Sequence, residues 1–402
     1  VVLLYGGKQE TLPFIGSTEN LEYDLTGVIN RLTQPELKKI GLLAGPNMTG
    51  VDKIGKVNQY LSKFYNVTNV DASKNTPIPA DIKTLVVFSP KAPQQQQQMG
   101  QQQQAPPVVP DNLKFAIDQY IMNGGKVIFM MSKVNVSTQQ QFQIAQVVPT
   151  GLEDLLENYG AKVNNTIVTD KECAFVSVPV QQGPLQMYTQ IPFPYYPKIL
   201  NINRDIPSFA AIGQVFLGLT SDIDLNAAST KGVKGMPLLT TSPKSGLNNE
   251  FAIVQASGTM MPDSMFKFKD LVVGAVYEGK FKSFYNGKPV PADTVAGSSP
   301  VSTSVKPESP DTKLIVIGNG DFPTDDFRGP DESLLFFANM IDYMSDDAGL
   351  SMIRSKDANP KPLESVEDST KTLVKYGMLV GPPLLVLLYG LLRWRKKKAA
   401  KN

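Results

Sequence analysis

Short apolar runs alternate with amphipathic helical segments over residues 38–170, and this alternation constrains the fold more than any other feature of the sequence. The runs KIGLLAG, TLVVFS and KVIFMM are typical of strands buried on both faces of a parallel sheet. Between them, Ile54, Val57, Leu61 and Phe64 recur at helical spacing and share one face. A strand–helix–strand order of this kind predicts an α/β fold built on a doubly wound, mostly parallel sheet.

Capping residues predict where further helices begin and end. The apolar residues of segment 113–121 repeat at helical spacing; we expect Asp111 or Asn112 to cap this helix and Gly124-Gly125 to end it. The apolar residues between Leu152 and Tyr159 predict another helix, which ends at Gly160. Further on, KLIVIGNGDF predicts a buried strand and DESLLFFANMIDYM a helix. We expect this last pair to return to the first sheet.

The remaining segments predict smaller units. VVLLYGGKQETLPF predicts two strands around a Gly6-Gly7 turn. It has neither an initial Met nor the basic start of a signal peptide. We therefore expect an upstream targeting or membrane segment outside this numbering. Residues 171–311 contain short strand-like runs with many Pro, Gly and Ser, which predicts a β-rich subdomain inserted into the α/β domain. The predicted organisation is a hairpin and helix (1–36), an α/β domain (37–170) with a Gln-rich loop (93–110), the β-rich subdomain (171–311), the returning strand and helix (312–350), a polar stalk (351–375), a transmembrane helix (376–392) and a basic cytoplasmic tail (393–402).

The Gln-rich loop QQQQQMGQQQQAPPVVP interrupts a connection from a strand to a helix. Its composition offers too little apolar surface to fold by itself. The sequence therefore predicts an exposed loop, which is either a tolerated insertion or a partner-binding segment.

The end of the chain predicts a membrane anchor. No charged residue occurs in residues 376–392, and six basic residues follow, beginning with Arg393. A helix of about 17 residues spans roughly 26 Å, which is close to the thickness of a bilayer core. Because Lys and Arg accumulate on the cytoplasmic side, we expect a cytoplasmic C-terminus and an extracytoplasmic bulk, periplasmic if the cell has two membranes, at the inner (cytoplasmic) membrane.

Two pairs of residues inside the apolar segment make it a candidate partner-docking helix as well as a tether. Gly377 and Gly381 are four residues apart, a spacing that lets two helix backbones approach closely in lipid. Pro382 and Pro383 cannot donate hydrogen bonds, so we expect a kink whose free carbonyls a neighbouring helix can cover. Simple tolerance of glycine is the alternative.

Composition excludes several classes of function. The chain has no histidine, which removes the usual general base and every histidine metal ligand, and its single cysteine, Cys173, cannot form an intrachain disulfide. We expect Cys173 to be a small buried residue. Lys and Arg nearly balance Asp and Glu, so no basic face indicates nucleic acid. The sequence predicts no catalytic residue, no cofactor-binding residue and no metal ligand.

Three motifs invite a functional interpretation. GLLAGPNMTGVDKIG follows a predicted strand, where α/β folds place ligand pockets, but Gly45, Pro46 and Gly50 lack the spacing of a phosphate-binding loop. GNGDFPTDDFRGPDES contains five carboxylates, yet it lacks the EF-hand order and is better explained by helix capping and a solvated turn. In IPFPYYPKIL, Tyr195 and Tyr196 either pack between subdomains or form a partner-docking edge.

Several phrases, in their order along the chain, resemble the GldG family. They include LEYDLTGVINRLTQPELKKIGLLAG, LKFAIDQYIMNGGKVIFM, GLEDLLENYGAKVNNTIVTDKEC, PFPYYP, AVYEGKFKSF, LIVIGNGDF and FFANMIDYMSDDAGLSMIRSK. The resemblance covers nearly the whole chain. It implies an amidotransferase-like, GIFT-like extracytoplasmic fold and an auxiliary subunit, proposed to bind substrate, of ABC transporters best known from gliding motility.

The resemblance also implies partners: an ABC permease subunit, through it an ABC ATPase, and the lipid bilayer. Two departures from the family concern histidine. The chain has AGPNMTG where many relatives have a Gly-His-Gly-Glu-like turn, and RDIPSF where relatives often have His-Pro-Ile. The leading interpretation is that the chain is a non-catalytic, membrane-anchored accessory subunit of a transporter. The alternatives are a structural component of a cell-surface or motility machine and an enzyme of amidotransferase-like ancestry.

Overall fold

The computed structural model describes residues 1–11, 21–33, 36–45, 47–71, 77–91, 109–139, 142–182, 185–254, 256, 261–291, 305–327, 329–345 and 368–399. The chain divides into two compact units, Val1–Ala358 and Asn359–Asn402. The helices are α1 (Leu21–Thr33), α2 (Gly55–Leu61), α3 (Asp111–Met122), α4 (Glu153–Asn158), α5 (Asn226–Thr230), α6 (Asp331–Met344) and α7 (Asp368–Ala399).

Twenty strands occur in the described part of the first unit. They are β1 (Val2–Tyr5), β2 (Lys8–Thr11), β3 (Lys38–Ala44), β4 (Tyr65–Asp71), β5 (Ile82–Phe88), β6 (Lys126–Met130), β7 (Val134–Gln139), β8 (Phe142–Val147), β9 (Lys162–Val163), β10 (Thr166–Asp170), β11 (Cys173–Gln182), β12 (Leu185–Ile199), β13 (Asn201–Ile202), β14 (Val215–Phe216), β15 (Ile223–Asp224), β16 (Lys234–Thr240), β17 (Ser245–Asn249), β18 (Phe251–Ile253), β19 (Val272–Gly279) and β20 (Thr312–Ile317).

A mixed sheet of eight strands forms the centre of the first unit. Its strand order is β13-β16-β19-β20-β6-β5-β3-β4. The five strands from β20 to β4 are parallel, and β13, β16 and β19 are antiparallel. The predicted α/β class is therefore confirmed, but the sheet is mixed. Its antiparallel edge comes from residues that the sequence assigned to the β-rich subdomain.

Both faces of this sheet are covered, which explains the uninterrupted apolar runs. Along β3, Leu42 packs into a core cluster that includes residues of α2 and α6. The next residue, Leu43, packs into the cluster on the other face, which includes residues of α3 and α4. Successive side chains of a strand point to opposite faces of the sheet. A strand buried on both faces therefore needs apolar residues at its odd and its even positions alike.

Several predicted elements are confirmed. β3, β5 and β6 are parallel strands, α6 spans the predicted segment, and β20 pairs with β6 in the first sheet. α3 ends at the predicted glycines, since Gly124 has φ +89° and Gly125 N–H donates to the Tyr120 carbonyl. The predicted cap of α3 is wrong. Pro110 holds the N-cap position without a side-chain bond, and the Asn112 amide oxygen accepts from Leu113 N–H instead.

Smaller sheets surround the main one. The predicted N-terminal hairpin is present, with Tyr5 opposite Lys8 and left-handed backbone at Gly6 and Gly7. β18, β8 and β7 form a three-stranded sheet, and β11, β12 and β14 form another. The predicted Gln-rich loop lies outside the described residues except for Val109 and Pro110, and so does the predicted stalk up to residue 367.

The second unit contains α7, which is long and apolar enough to cross a membrane from Thr372 to Lys396. It is the one such helix among the residues that the structure describes. The helix runs through Pro382 and Pro383 and begins at Asp368, so the last residues of the predicted stalk are helical. Its apolar side chains are exposed, as a lipid-facing surface requires.

Candidate binding cleft

A cleft of about 850 Å³ lies at the carboxyl ends of the parallel strands. The parallel strands lie in the order β4-β3-β5-β6-β20, so the chain order reverses between β3 and β5. Open α/β sheets bind ligands outside the carboxyl ends of their strands, at such a reversal. A second cavity, of about 910 Å³, lies beside α3 at the amino ends of β5 and β6. We assign the site to the carboxyl ends because only there do loops from several parallel strands converge.

The floor of the cleft is formed by residues in the loops that follow four of the parallel strands. Asn47 follows β3, Lys91 follows β5, Ser132 follows β6 and Asp321 follows β20. The Lys91 ammonium lies 2.5 Å from Asp321 Oδ1, and Ser132 Oγ donates to the same carboxylate oxygen at 3.3 Å. Lys91 N–H also donates to the Asn47 carbonyl at 3.0 Å. These contacts link the loops on both sides of the reversal into one polar floor.

The sequence Gly-Asn-Gly-Asp, residues 318–321, explains how Asp321 reaches the floor. The Asn319 side-chain oxygen accepts from the N–H groups of Asp321 and Phe322, which turns the chain sharply after β20. A Cβ atom at Gly318 would lie 2.0 Å from the Ser221 carbonyl oxygen, and one at Gly320 would lie 2.8 Å from Ser132 Oγ. Only glycine allows the turn to approach its neighbours this closely.

A buried lysine supports one side of the cleft. The Lys133 side chain is 2% exposed, and its ammonium donates to the Val163 carbonyl at 3.0 Å and to Asn165 Oδ1 at 2.6 Å. Burial lowers the pKa of this ammonium, and the nearby carboxylates of Glu153 and Glu157 oppose that shift. Because its donors are engaged by the protein, Lys133 holds the loop after β9 in place.

Aromatic side chains form the wall opposite the floor. The Tyr196 ring lies 5.0 Å from that of Phe193 and 6.1 Å from that of Phe327, and all three residues line the cleft. Beside them, Leu219 has φ +55°, a conformation that a branched side chain rarely adopts. Asn47, on the floor, has φ +59°. Strained backbone of this kind clusters at functional sites, where the surrounding structure holds it.

The motifs identified in the sequence have different locations. The GPNMTG segment lines the cleft through Asn47, Met48 and Thr49, which confirms that it follows a parallel strand at a pocket. Of the five carboxylates in the acidic motif, Asp321 and Asp326 line the cleft. Helix capping is confirmed for Asp325, but the helix is α2. The two carboxylate oxygens of Asp325 accept from Gly55 and Lys56 N–H at 2.7 and 2.8 Å.

The candidate docking residues are also separated. Tyr196 lines the cleft, whereas Tyr195 is buried in a small core cluster with residues of β7, β8 and β18. Gly377, Gly381, Pro382 and Pro383 lie in α7, in the second unit. A Cβ atom at Gly377 or Gly381 would meet no atom within 4 Å. Docking by any of these residues stays a prediction.

Sequence reasoning missed Lys91, Ser132, Lys133 and Leu219. The first three follow strands that were predicted, so the rule that loops after parallel strands form the site could have identified them. No local signal marks Leu219, because its left-handed conformation is imposed by tertiary packing. Cys173, as expected, is buried.

The arrangement is suited to binding by hydrogen bonds and apolar contact. Asp321 Oδ1 is already engaged by both the Lys91 ammonium and the Ser132 hydroxyl. Among the described residues, no group of three or more Cys, Asp or Glu side chains is placed to hold a metal ion. The cleft combines the Lys91–Asp321 ion pair, the further charged side chains of Lys53, Lys133 and Asp326 and several neutral polar groups with an aromatic wall. Small-molecule and peptide sites likewise place a few polar groups among apolar ones.

Comparisons with known proteins place the chain in a family. Residues 105–346, more than half of the chain, match the family described as an ABC-type uncharacterized transport system. The whole chain is 21% identical, over 411 residues, to an uncharacterized protein of Borreliella burgdorferi (strain B31), of which it covers 74%. The solved mmIFT52 N-terminal domain is 12% identical, with a TM-score of 0.40; the match covers 76% of this chain and 97% of that one.

The family match extends from the residues before α3 to the end of α6. It therefore includes the antiparallel edge of the main sheet, the sheets beside the cleft and the turn that carries Asp321. The chain belongs to this family of auxiliary components of ABC-type transport systems.

Proposed function

We propose that the chain is a GldG-type, membrane-anchored, extracytoplasmic accessory subunit of a multi-component ABC transporter. It docks on a permease, contacts the ATPase through that permease and catalyses no reaction itself. The observation that carries the proposal is an exposed apolar helix, α7, followed by basic residues, in a chain of an ABC auxiliary family. Helices of this kind stay in lipid, and Lys and Arg at one end orient them.

A non-catalytic role is supported by the environment of the residues that could act as nucleophiles. The sequence contains no histidine, so no imidazole can activate Ser132 or Cys173. Burial raises the pKa of the Cys173 thiol to about 11, which disfavours the nucleophilic thiolate. The cleft at the carboxyl ends is then a place to hold a ligand or a segment of a partner, and its loops would transmit occupancy to the transporter.

The orientation can be tested with single-cysteine variants. In a Cys173→Ser background, Ser229→Cys lies at an exposed residue of α5 and Asn402→Cys lies in the basic tail. A membrane-impermeant maleimide added to spheroplasts should label the cysteine at 229 at once and the one at 402 only after the membrane is permeabilised. Labelling in the opposite order would exclude an extracytoplasmic bulk.

Association with the transporter is tested separately. The tagged full-length chain, solubilised from native membranes in mild detergent, should carry an ABC permease and an ABC ATPase, each identified by mass spectrometry. An unrelated single-span protein with the same tag is the control. Recovery of neither component above that control would contradict the proposed function.

A further inference from the structure

Three separate segments of the chain contain no charged residue and converge beside the cleft. Asp, Glu, Lys and Arg are absent from residues 134–152, 173–197 and 251–262, although 19% of the whole chain is charged. These segments include β7, β8, β11, β18 and most of β12. Most of their buried apolar side chains belong to one small core cluster, which contains Val134, Ala145, Tyr195 and Ala252. The absence of charge is therefore a property of one region of the surface.

Part of this region projects as a two-stranded arm, which we define as β11 together with Leu185–Phe193 of β12. The arm is joined to the body at a bulge, because Cys173 lies opposite Pro197 while Ala174 lies opposite Phe193. The extra residues of β12 include Tyr195, which is buried there. Beyond the bulge, Phe175 is 63% and Tyr188 is 70% exposed. A hairpin of two strands is only marginally stable in water when nothing covers it.

The two prolines of the arm show which edge of β11 is open. Pro179 lies opposite Tyr188, and Pro192 lies opposite Phe175. A proline has no N–H to donate, so both pairs are non-hydrogen-bonded pairs of the antiparallel ladder. In such a pair the backbone N–H and C=O groups point away from the partner strand. This alternation repeats every two residues, so Ser177 also directs its N–H and C=O away from β12. In the described part of the chain, no strand pairs with this outer edge of β11.

Open edges are ordinarily protected by charged side chains, above all by lysine, and by proline. Pro179 removes one outward N–H from β11, so the open stretch lies around Phe175 and Ser177. Charge is the other protection. The arm has none, and its exposed aromatic side chains resemble the core of a protein interface, where charge is depleted and aromatic residues are enriched. The missing charge also argues against anionic lipid or nucleic acid, since both are bound through Lys and Arg. The occupant that fits is an uncharged polypeptide segment in extended conformation, added to the edge as a further strand.

We propose that the open edge of β11 binds an extended, uncharged segment of the ABC permease by strand addition. This inference rests on the proposed function, because the family supplies the partner. Val176 and Phe193 line the cleft, and they lie on the face of the arm opposite to Phe175 and Tyr188. The strand to which the segment is added therefore also contributes one residue, Val176, to the cleft wall.

The test compares two substitutions of one exposed residue in the full-length chain, purified from native membranes. Ser177→Pro removes the outward N–H and adds no charge, whereas Ser177→Ala keeps the N–H and removes only the hydroxyl. The permease and ATPase, identified by mass spectrometry, should be recovered with Ser177→Ala as with the wild type and roughly tenfold less with Ser177→Pro. Ser177→Lys should also reduce recovery, and Ser229→Lys, at an exposed residue of α5, should not.

The integrity of the arm is read from Cys173, which lies at its base. Its thiol should stay unreactive in every variant, which separates loss of docking from unfolding. If the wild type recovers no ABC component, the proposed function fails and this inference with it. If the wild type recovers them and Ser177→Pro recovers them equally, only this inference is overturned. Loss of a homodimer with unchanged recovery of the transporter would identify the occupant as a second copy and overturn it too.

Discussion

At the scale of single residues, burial in the fold determines how reactive the Cys173 thiol is. Cys173 stands beside Glu172 at the base of the arm and is 6% exposed. Burial raises the pKa of its thiol to about 11, and the nearby carboxylates of Asp170 and Glu172 add to that shift. At pH 8 the thiolate is then present at about one part in a thousand, well below the fraction in an ordinary cysteine.

We therefore expect the folded chain to react very slowly with a thiol-reactive chromophore at pH 8. Labelling should speed up strongly as the pH is raised toward 11, because the reactive thiolate then becomes populated. Denaturant should release one equivalent of reactive thiol at once, since the chain has a single cysteine. Cys173→Ser gives the background rate. Complete labelling of the native protein within minutes at pH 8 would show that this thiol is neither buried nor shifted.

Sequence reasoning identified residues whose role is local and missed those whose role is tertiary. The turn glycines after α3 and the buried Cys173 follow from local preference and composition. Leu219, with its left-handed backbone, and Lys133, with its buried ammonium, both contradict the preferences of their residue types. Such residues exist only where neighbours compensate them, and those neighbours are distant in sequence.

At the scale of elements, the parallel strands β3, β5, β6 and β20 were predictable because each is buried on both faces. The antiparallel edge was not, since β16 and β19 are joined to the sheet by pairing that no local pattern specifies. Asp325 illustrates the same limit at the start of α2. Its carboxylate caps that helix from 270 positions further along the sequence, so only the class of the interaction, helix capping, was foreseen.

Replacing Asp325 with Ala should destabilise the chain by about 1 kcal/mol, because two N–H groups at the start of α2 lose their acceptors. Asp326→Ala is the matched control, since this neighbour carries the same charge and is exposed. Denaturant unfolding of both variants, monitored by the release of the Cys173 thiol, measures the difference. Equal unfolding midpoints for the two variants would mean that the cap contributes nothing.

At the scale of the whole molecule, the chain has two candidate contacts with the transporter: the arm in the first unit and α7 in the second. Among the described residues, a Cβ atom at Gly377 or Gly381 would meet nothing within 4 Å apart from the neighbouring backbone of α7, so larger side chains fit there. The spacing of these two small residues therefore favours close contact with a neighbouring helix in the membrane. Two contacts on one molecule reinforce each other, because the second forms at a high effective concentration once the first is made.

Replacing Gly377 and Gly381 with Leu should leave the protein in the membrane and lower its recovery with the permease, because the two backbones can no longer approach closely. Gly390→Leu is the matched control, since that glycine also meets no atom within 4 Å but lies beyond the two prolines. Independent contacts give losses of binding free energy that add, so the variant that also carries Ser177→Pro should combine the two single effects. If the Leu variant recovers the permease as fully as Gly390→Leu does, α7 is only a tether and docking belongs to the first unit.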